Sequence, residues 1–347
     1  MPIKGMSTRR TPRDQRALRL ATGTALSLTA SFGLGLPIPF MAPVLCLLLL
    51  ASVNRPLPFK AGLVLALAAM LTTGIGLLLI PVLRYYPISG VLLISVGLFL
   101  AFRFGLRGGN TLIMTFLVIG LTMISSAGIA EFDLAAMVIG ALVKGLLLAV
   151  VVVAFSHGLF PDPPNAPSPP AAPPLPAEEV SRIALRATLI VLPAFLLALI
   201  DPAGYLPIIL KAVGLGQQSS TTNARIAGRE LLGSTLLAGL LAILFWSALS
   251  LFVHLWMFFL WMLLFGLVMA RKLYALSPTR FTPGFWLNTL ITLIILLGQS
   301  VQDSAAGKDV YTAFAIRMGL FILVTLYACL MVHLLDQRRQ NDVQGLT

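Results

Sequence analysis

Charge is what this chain has least of. Lysine, arginine, aspartate and glutamate together make up 10% of 347 residues, and only 12 of them are acids. A soluble domain carries roughly a quarter of its residues as charges, so a water-soluble globule is excluded. Cysteine is nearly absent: Cys46 and Cys329 lie far apart in apolar runs, which excludes a disulfide framework and a cysteine metal cluster. Three histidines are scattered along the chain, and no G-x-x-x-x-G-K-S/T, H-E-x-x-H, C-x-x-C or G-x-S-x-G pattern occurs. Membrane hydrolases and acyltransferases need His and acids clustered at one membrane face, so enzymatic activity, a cofactor and a metal are not expected.

Apolar residues are abundant, at 58% of the chain with a mean hydropathy of +0.96. A bilayer-spanning helix takes about 20 such residues. Apolar runs read against their Pro, Gly and charged interruptions predict twelve helices, near 17–36, 39–53, 61–81, 87–104, 109–128, 133–157, 182–200, 203–216, 229–250, 252–270, 284–302 and 311–335. The second and eighth are short and are expected to be tilted or re-entrant. An all-α integral membrane protein follows, with no room for a sizeable soluble domain. Residues 161–179, PDPPNAPSPPAAPPLPAEE, cannot hold a helix and read as an extended linker in water.

The net charge of +12 comes from bases dispersed along the chain, so nucleic acid is not the expected partner. Lys and Arg concentrate on the cytoplasmic side of membrane proteins. With a cytoplasmic N-terminus, 20 of the 24 bases fall in inside segments, Lys211, Arg225 and Arg229 among them. Outside loops hold only Arg84 and Lys308, and Lys144 and Arg317 fall within spans. Both termini and the Pro-rich linker should therefore be cytoplasmic. The basic start is not a secretory signal, because no A-x-A-like site follows it.

The chain also reads as duplicated. LRLAT around Arg19 returns as LRAT around Arg186, and PIPFMAP (37–43) as DPAGYLP (201–207). GLFLAFR (97–103) matches GLVMARK (266–272), and NTLIMT (110–115) matches NTLIT (288–292). Six spans separate the copies, so two parallel six-helix repeats about a pseudo-two-fold axis along the membrane normal are expected. The organisation is then a basic N-terminus (1–16), a first repeat (17–157), a linker (158–181), a second repeat (182–335) and a tail (336–347).

Polar residues inside spans are the candidates for function. The fifth span carries Thr111, Thr115, Thr122 and Ser126, with steps that place all four within about 60° of one helix face. The eleventh carries Asn288, Thr292, Gln299 and Asp303 with the same steps. Such stripes serve either helix–helix hydrogen bonding or a water-lined path. Lys144 lies near the midplane of the sixth span, where a lysine costs about 2.5–3.5 kcal/mol on insertion scales. Arg317 lies about seven residues into the twelfth. Each cation either pairs with an acid such as Asp303 or a carbonyl, or contributes to an anion-binding site with one cation from each repeat. His157 and His333 end the sixth and twelfth spans, where histidine favours a helix C-terminus and can also relay protons. Asp303 is the other proton-coupling candidate.

An arginine opening the first span (Arg19, Arg186), a Pro-and-aromatic break after it, and a basic residue with small residues opening the third span (Lys60 with Gly62, Arg229 with Gly233) form a recurring set. With a Pro-rich insertion between six-helix halves, they resemble the fusaric acid resistance / aromatic acid exporter superfamily. The resemblance implies a bacterial inner-membrane efflux protein for aromatic carboxylates and similar toxic compounds, working with a periplasmic adaptor of the membrane-fusion type. Typical members carry a large cytoplasmic domain between or after the halves, where this sequence shows only the Pro-rich segment 161–179. Plant malate-activated anion channels are thought to share the helical unit.

The expectation is export of small organic anions driven by the proton gradient, with Lys144 and Arg317 meeting the substrate and the two polar stripes lining its route. A passive anion channel and a non-transporting subunit of an efflux assembly are the alternatives. Self-association into a homo-oligomer is compatible with all three. Cysteine-accessibility mapping should find the starts of both repeats on the same membrane side; opposite sides would remove the parallel-repeat reading.

Overall fold

The computed structural model describes residues 11–52, 58–161, 176–219, 226 and 228–344. The basic residues Lys4, Arg9, Arg10, Arg55 and Arg225, and most of the Pro-rich linker, lie outside the described residues. Among the described residues there is no strand, and twelve helical segments of ten residues or more follow one another. They are α1 (Pro12–Gly33), α2 (Met41–Ser52), α3 (Phe59–Tyr85), α4 (Pro87–Leu106), α5 (Thr111–Ala130) and α6 (Phe132–Leu159), then α7 (Ala177–Ile200), α8 (Pro202–Ser219), α9 (Gly228–Leu251), α10 (Leu255–Leu273), α11 (Pro283–Ala305) and α12 (Val310–Gln344). Nine of these are long and apolar enough to cross a membrane; α1, α2 and α8 are not among the nine. The chain is consistent with a multi-pass all-α membrane protein.

Local chemistry sets the helix starts. Thr11 caps α1 reciprocally with Asp14, and Pro12 sits at the first helical position, where its missing N–H costs nothing. Asn110 accepts from the Leu112 amide at 2.9 Å to start α5, and Thr282 accepts from the Phe285 amide at 3.3 Å to start α11. Between α1 and α2 the chain turns through Gly35 at φ +61°, a conformation that suits glycine.

The helices sort by what they face. α3, α4, α9, α10 and α12 present long rows of exposed apolar side chains, such as Leu63, Leu67, Leu71 and Leu78 on α3, as expected of surfaces solvated by lipid. α2, α5, α8 and α11 are largely buried. Packing across the middle pairs α1 with α10, α4 with α7, α2 with α11 and α5 with α8.

α5 is not a uniform helix: residues Gly120–Ile124 form a π-helical turn. At this turn the backbones of α3 and α5 touch. A Cβ on Gly76 would lie 2.0 Å from the Gly120 carbonyl oxygen, and one on Gly120 would lie 2.7 Å from the Thr72 carbonyl oxygen. No rotamer change relieves a clash with backbone, so the two glycines let helices approach where lipid offers little other driving force. Gly76→Val should destabilise the fold by about 1–3 kcal/mol or more, read as a lower thermal midpoint in detergent. An unchanged midpoint would mean that this contact does not hold the two helices.

Candidate functional site

The most buried cation among the described residues is one that charge counting assigns to the cytoplasm. Lys211 stands about halfway along α8 and is 1% exposed. Its Nζ donates to Thr292 Oγ1 at 2.8 Å and to Asn288 Oδ1 at 3.3 Å, both on α11. Asn288 Nδ2 in turn donates to Ser234 Oγ on α9 at 2.7 Å. Among the described residues Lys211 has no ion-pair partner; its hydrogen-bond partners are neutral oxygens. A buried ammonium without a counter-charge is costly, so this position suits a group that receives an anion.

Polar ground continues from Lys211 toward both ends of α8. One and a half turns on, Gln217 Nε2 donates to Thr115 Oγ1 on α5 at 2.8 Å. Beside this contact a cavity of about 140 Å³ is lined by Phe102, Gly105, Thr111, Met114 and Gln217. At the opposite end, the Pro-containing breaks before α2 and in α8 meet the end of α11. They leave a cleft of about 280 Å³ bordered by Phe40, Pro207, Gln299, Gln302, Asp303 and Lys308. Gln302 Nε2 donates to the Pro37 carbonyl at 3.1 Å, which ties α11 to the first break.

Arg317 is not a free anion-binding cation. Its Nη2 donates to Asp303 Oδ2 at 2.6 Å, and the two side chains are only 13% and 10% exposed. The pair forms because the C-terminal end of α11 and the start of α12 run side by side across a short connection. The residue expected to bind substrate and the residue expected to relay protons are therefore locked to each other. The second terminal nitrogen of Arg317, Nη1, is buried without a hydrogen-bond partner.

Lys144 departs from expectation differently. It is exposed on the outward face of α6 and borders neither cavity. The neighbouring position, Gly145, takes the inward place instead and packs on the start of α2. Lys144 and Arg317 thus do not form a shared inner site. His157 is buried, with Nδ1 at 2.8 Å from the Val153 carbonyl of its own helix, and His333 is exposed; neither borders the two cavities.

The two stripes divide in role. Thr122 and Ser126 are fully buried, and their hydroxyls donate to Val118 and Met123 carbonyls of α5 itself. Thr111 and Thr115 lie at the smaller cavity and the Gln217 contact. Asn288 and Thr292 hold Lys211, and Gln299 borders the larger cleft. Ser234, Gln217, Gln302 and above all Lys211 were not among the residues expected to act. The available signal was the run LPIILKAVGLG, a single lysine in an apolar helix four residues after a proline.

Residues 16–156 match a protein family described as "Protein of unknown function (DUF2955)". No curated protein and no solved structure matches the chain.

Replacing Arg317 by Ala or Asp303 by Asn leaves one buried charge unpaired and should cost about 3 kcal/mol. Combining Asp303→Asn with Arg317→Gln should recover much of that loss in detergent thermal melts. Additive losses in the double variant would show that the pair is not coupled.

Proposed function

We propose that this protein is a membrane transporter that exports small organic anions through the junction of two six-helix halves. The observation that carries this reading is Lys211: a buried cation held only by neutral oxygens, with a mainly apolar cavity bearing Thr111 and Gln217 toward one end of its helix and a cleft bearing Gln299, Gln302, Asp303 and Lys308 toward the other. A carboxylate drawn into this junction would supply the missing counter-charge, and Thr292, Asn288 and Ser234 would orient it. Gln217, Thr111 and Thr115 lie on the approach from the end that the base distribution assigns to the cytoplasm. Gln299, Gln302 and the Asp303–Arg317 pair lie on the exit.

The halves are read as parallel repeats. Support comes from their reciprocal packing: the first helix of each half lies on the fourth of the other, and the second on the fifth. The family match over 16–156 also coincides with the first half. Aromatic carboxylates are the proposed substrates, the inner bacterial membrane the proposed location, and a periplasmic membrane-fusion adaptor the proposed partner. These three rest on the resemblance to aromatic acid exporters. The proton gradient would drive export. A carrier is favoured over a passive channel because the hydroxyls of Thr122 and Ser126 are bonded to their own helix instead of lining an open path.

In proteoliposomes, the wild-type protein should accumulate benzoate or a hydroxybenzoate uphill in an uncoupler-sensitive manner. Lys211→Gln removes a charge-assisted hydrogen bond to the substrate and should slow transport about tenfold or more, whereas Lys144→Gln should not. Normal transport by Lys211→Gln would overturn the site, and an ohmic, uncoupler-insensitive current would overturn the carrier.

A further inference from the structure

Away from the junction, α9 and α10 enclose a groove of about 400 Å³ that opens on the apolar surface of the protein. Leu237, Leu241 and Leu244 recur along α9 at helical spacing, and Leu264 and Val268 along α10, so the walls are aliphatic over their length. Leu244, Leu264 and Val268 are about half exposed, which places the mouth of the groove toward lipid. One end is different in kind. One turn beyond Val268, Lys272 closes the groove together with Trp286 of α11, the ammonium lying 5.1 Å from the indole ring centroid.

This end is built rather than incidental. Trp286 packs edge-on against Phe281 and Phe285, which stack on each other with centroids 4.1 Å apart. Arg229 lies over the Phe281 ring at 5.0 Å and donates to the Arg280 carbonyl at 2.9 Å. Trp286 Nε1 is anchored on Thr279 Oγ1 at 3.0 Å. The only acid in the cluster, Glu230, is buried and engaged by the Thr282 amide and hydroxyl, at 3.3 and 2.5 Å. Arg229, Lys272 and Arg280 therefore present an excess of positive charge at this end of an apolar slot, over an aromatic floor. Tryptophan prefers the boundary between hydrocarbon and headgroups, and cations there attract anionic lipid.

We infer that this groove holds one anionic phospholipid, with an acyl chain along α9 and α10 and its phosphate at Lys272. The site is independent of the transport reading, since it shares none of the residues around Lys211. The lipid would seal the α9–α10 face and fix the Phe281–Trp286 cluster that starts α11.

Native mass spectrometry of the full chain, released from nanodiscs of mixed phosphatidylglycerol and phosphatidylcholine, tests this. Wild-type protein should retain one phosphatidylglycerol in preference to phosphatidylcholine. Lys272→Glu should weaken that preference by at least about fivefold, the factor one surface cation contributes toward an anionic lipid. Leu241→Trp, which fills the slot and leaves every charge in place, should displace the lipid while the protein remains monodisperse. Equal retention of the two lipids, retention unchanged in both variants, or a second copy of the chain in place of lipid would each overturn the assignment. So would displacement of the lipid by millimolar inorganic phosphate, because a phosphate site alone needs no acyl slot.

Discussion

A charge persists in a hydrocarbon layer only where other groups replace the water it has lost, and this protein meets that demand in three ways. Arg317 takes a carboxylate from the neighbouring helix. Arg19, 2% exposed, reaches the carbonyl of Phe160 at the end of α6, at 3.3 Å. Lys211 takes only a hydroxyl and an amide oxygen from α11. These requirements order the centre of the molecule. α8 lies on α11 so that Lys211 reaches its acceptors, α9 lies on α11 so that Asn288 reaches Ser234, and α5 lies on α8 so that Gln217 reaches Thr115.

The order of helices was legible in the chain because it depends on composition over windows of twenty residues, where lipid enforces apolar runs. The starts of α5 and α11 lie within two residues of the expected 109 and 284, whereas α1 begins at Pro12, ahead of the expected 17, because Thr11 and Asp14 cap a polar first turn that carries no apolar signal. Depth and facing were less legible. Lys144 and Gly145 are adjacent, and a rotation of one residue decides which meets the core; packing of α6 on α2, not local sequence, sets that rotation.

Lys211 was hidden for another reason. It lies inside the eighth span expected at 203–216, yet charge counting groups it with the cytoplasmic bases and so leaves it out of the candidates, whereas α8 (Pro202–Ser219) buries it. The Asp303–Arg317 pair was open to two readings because a sequence separation of 14 does not say whether two helix ends meet. The π-turn at Gly120–Ile124, which lies against Gly76 of α3, carries no periodic signal in the apolar pattern.

Thr122, Ser125 and Ser126 point their protons at carbonyls of their own helix, and all three are shut away from solvent. Their donors are spent within one helix, so at this level α5 meets its neighbours through shape and not through the protons of these hydroxyls. A neighbour held by fit alone can slide or tilt against α5 without breaking a bond to these three residues.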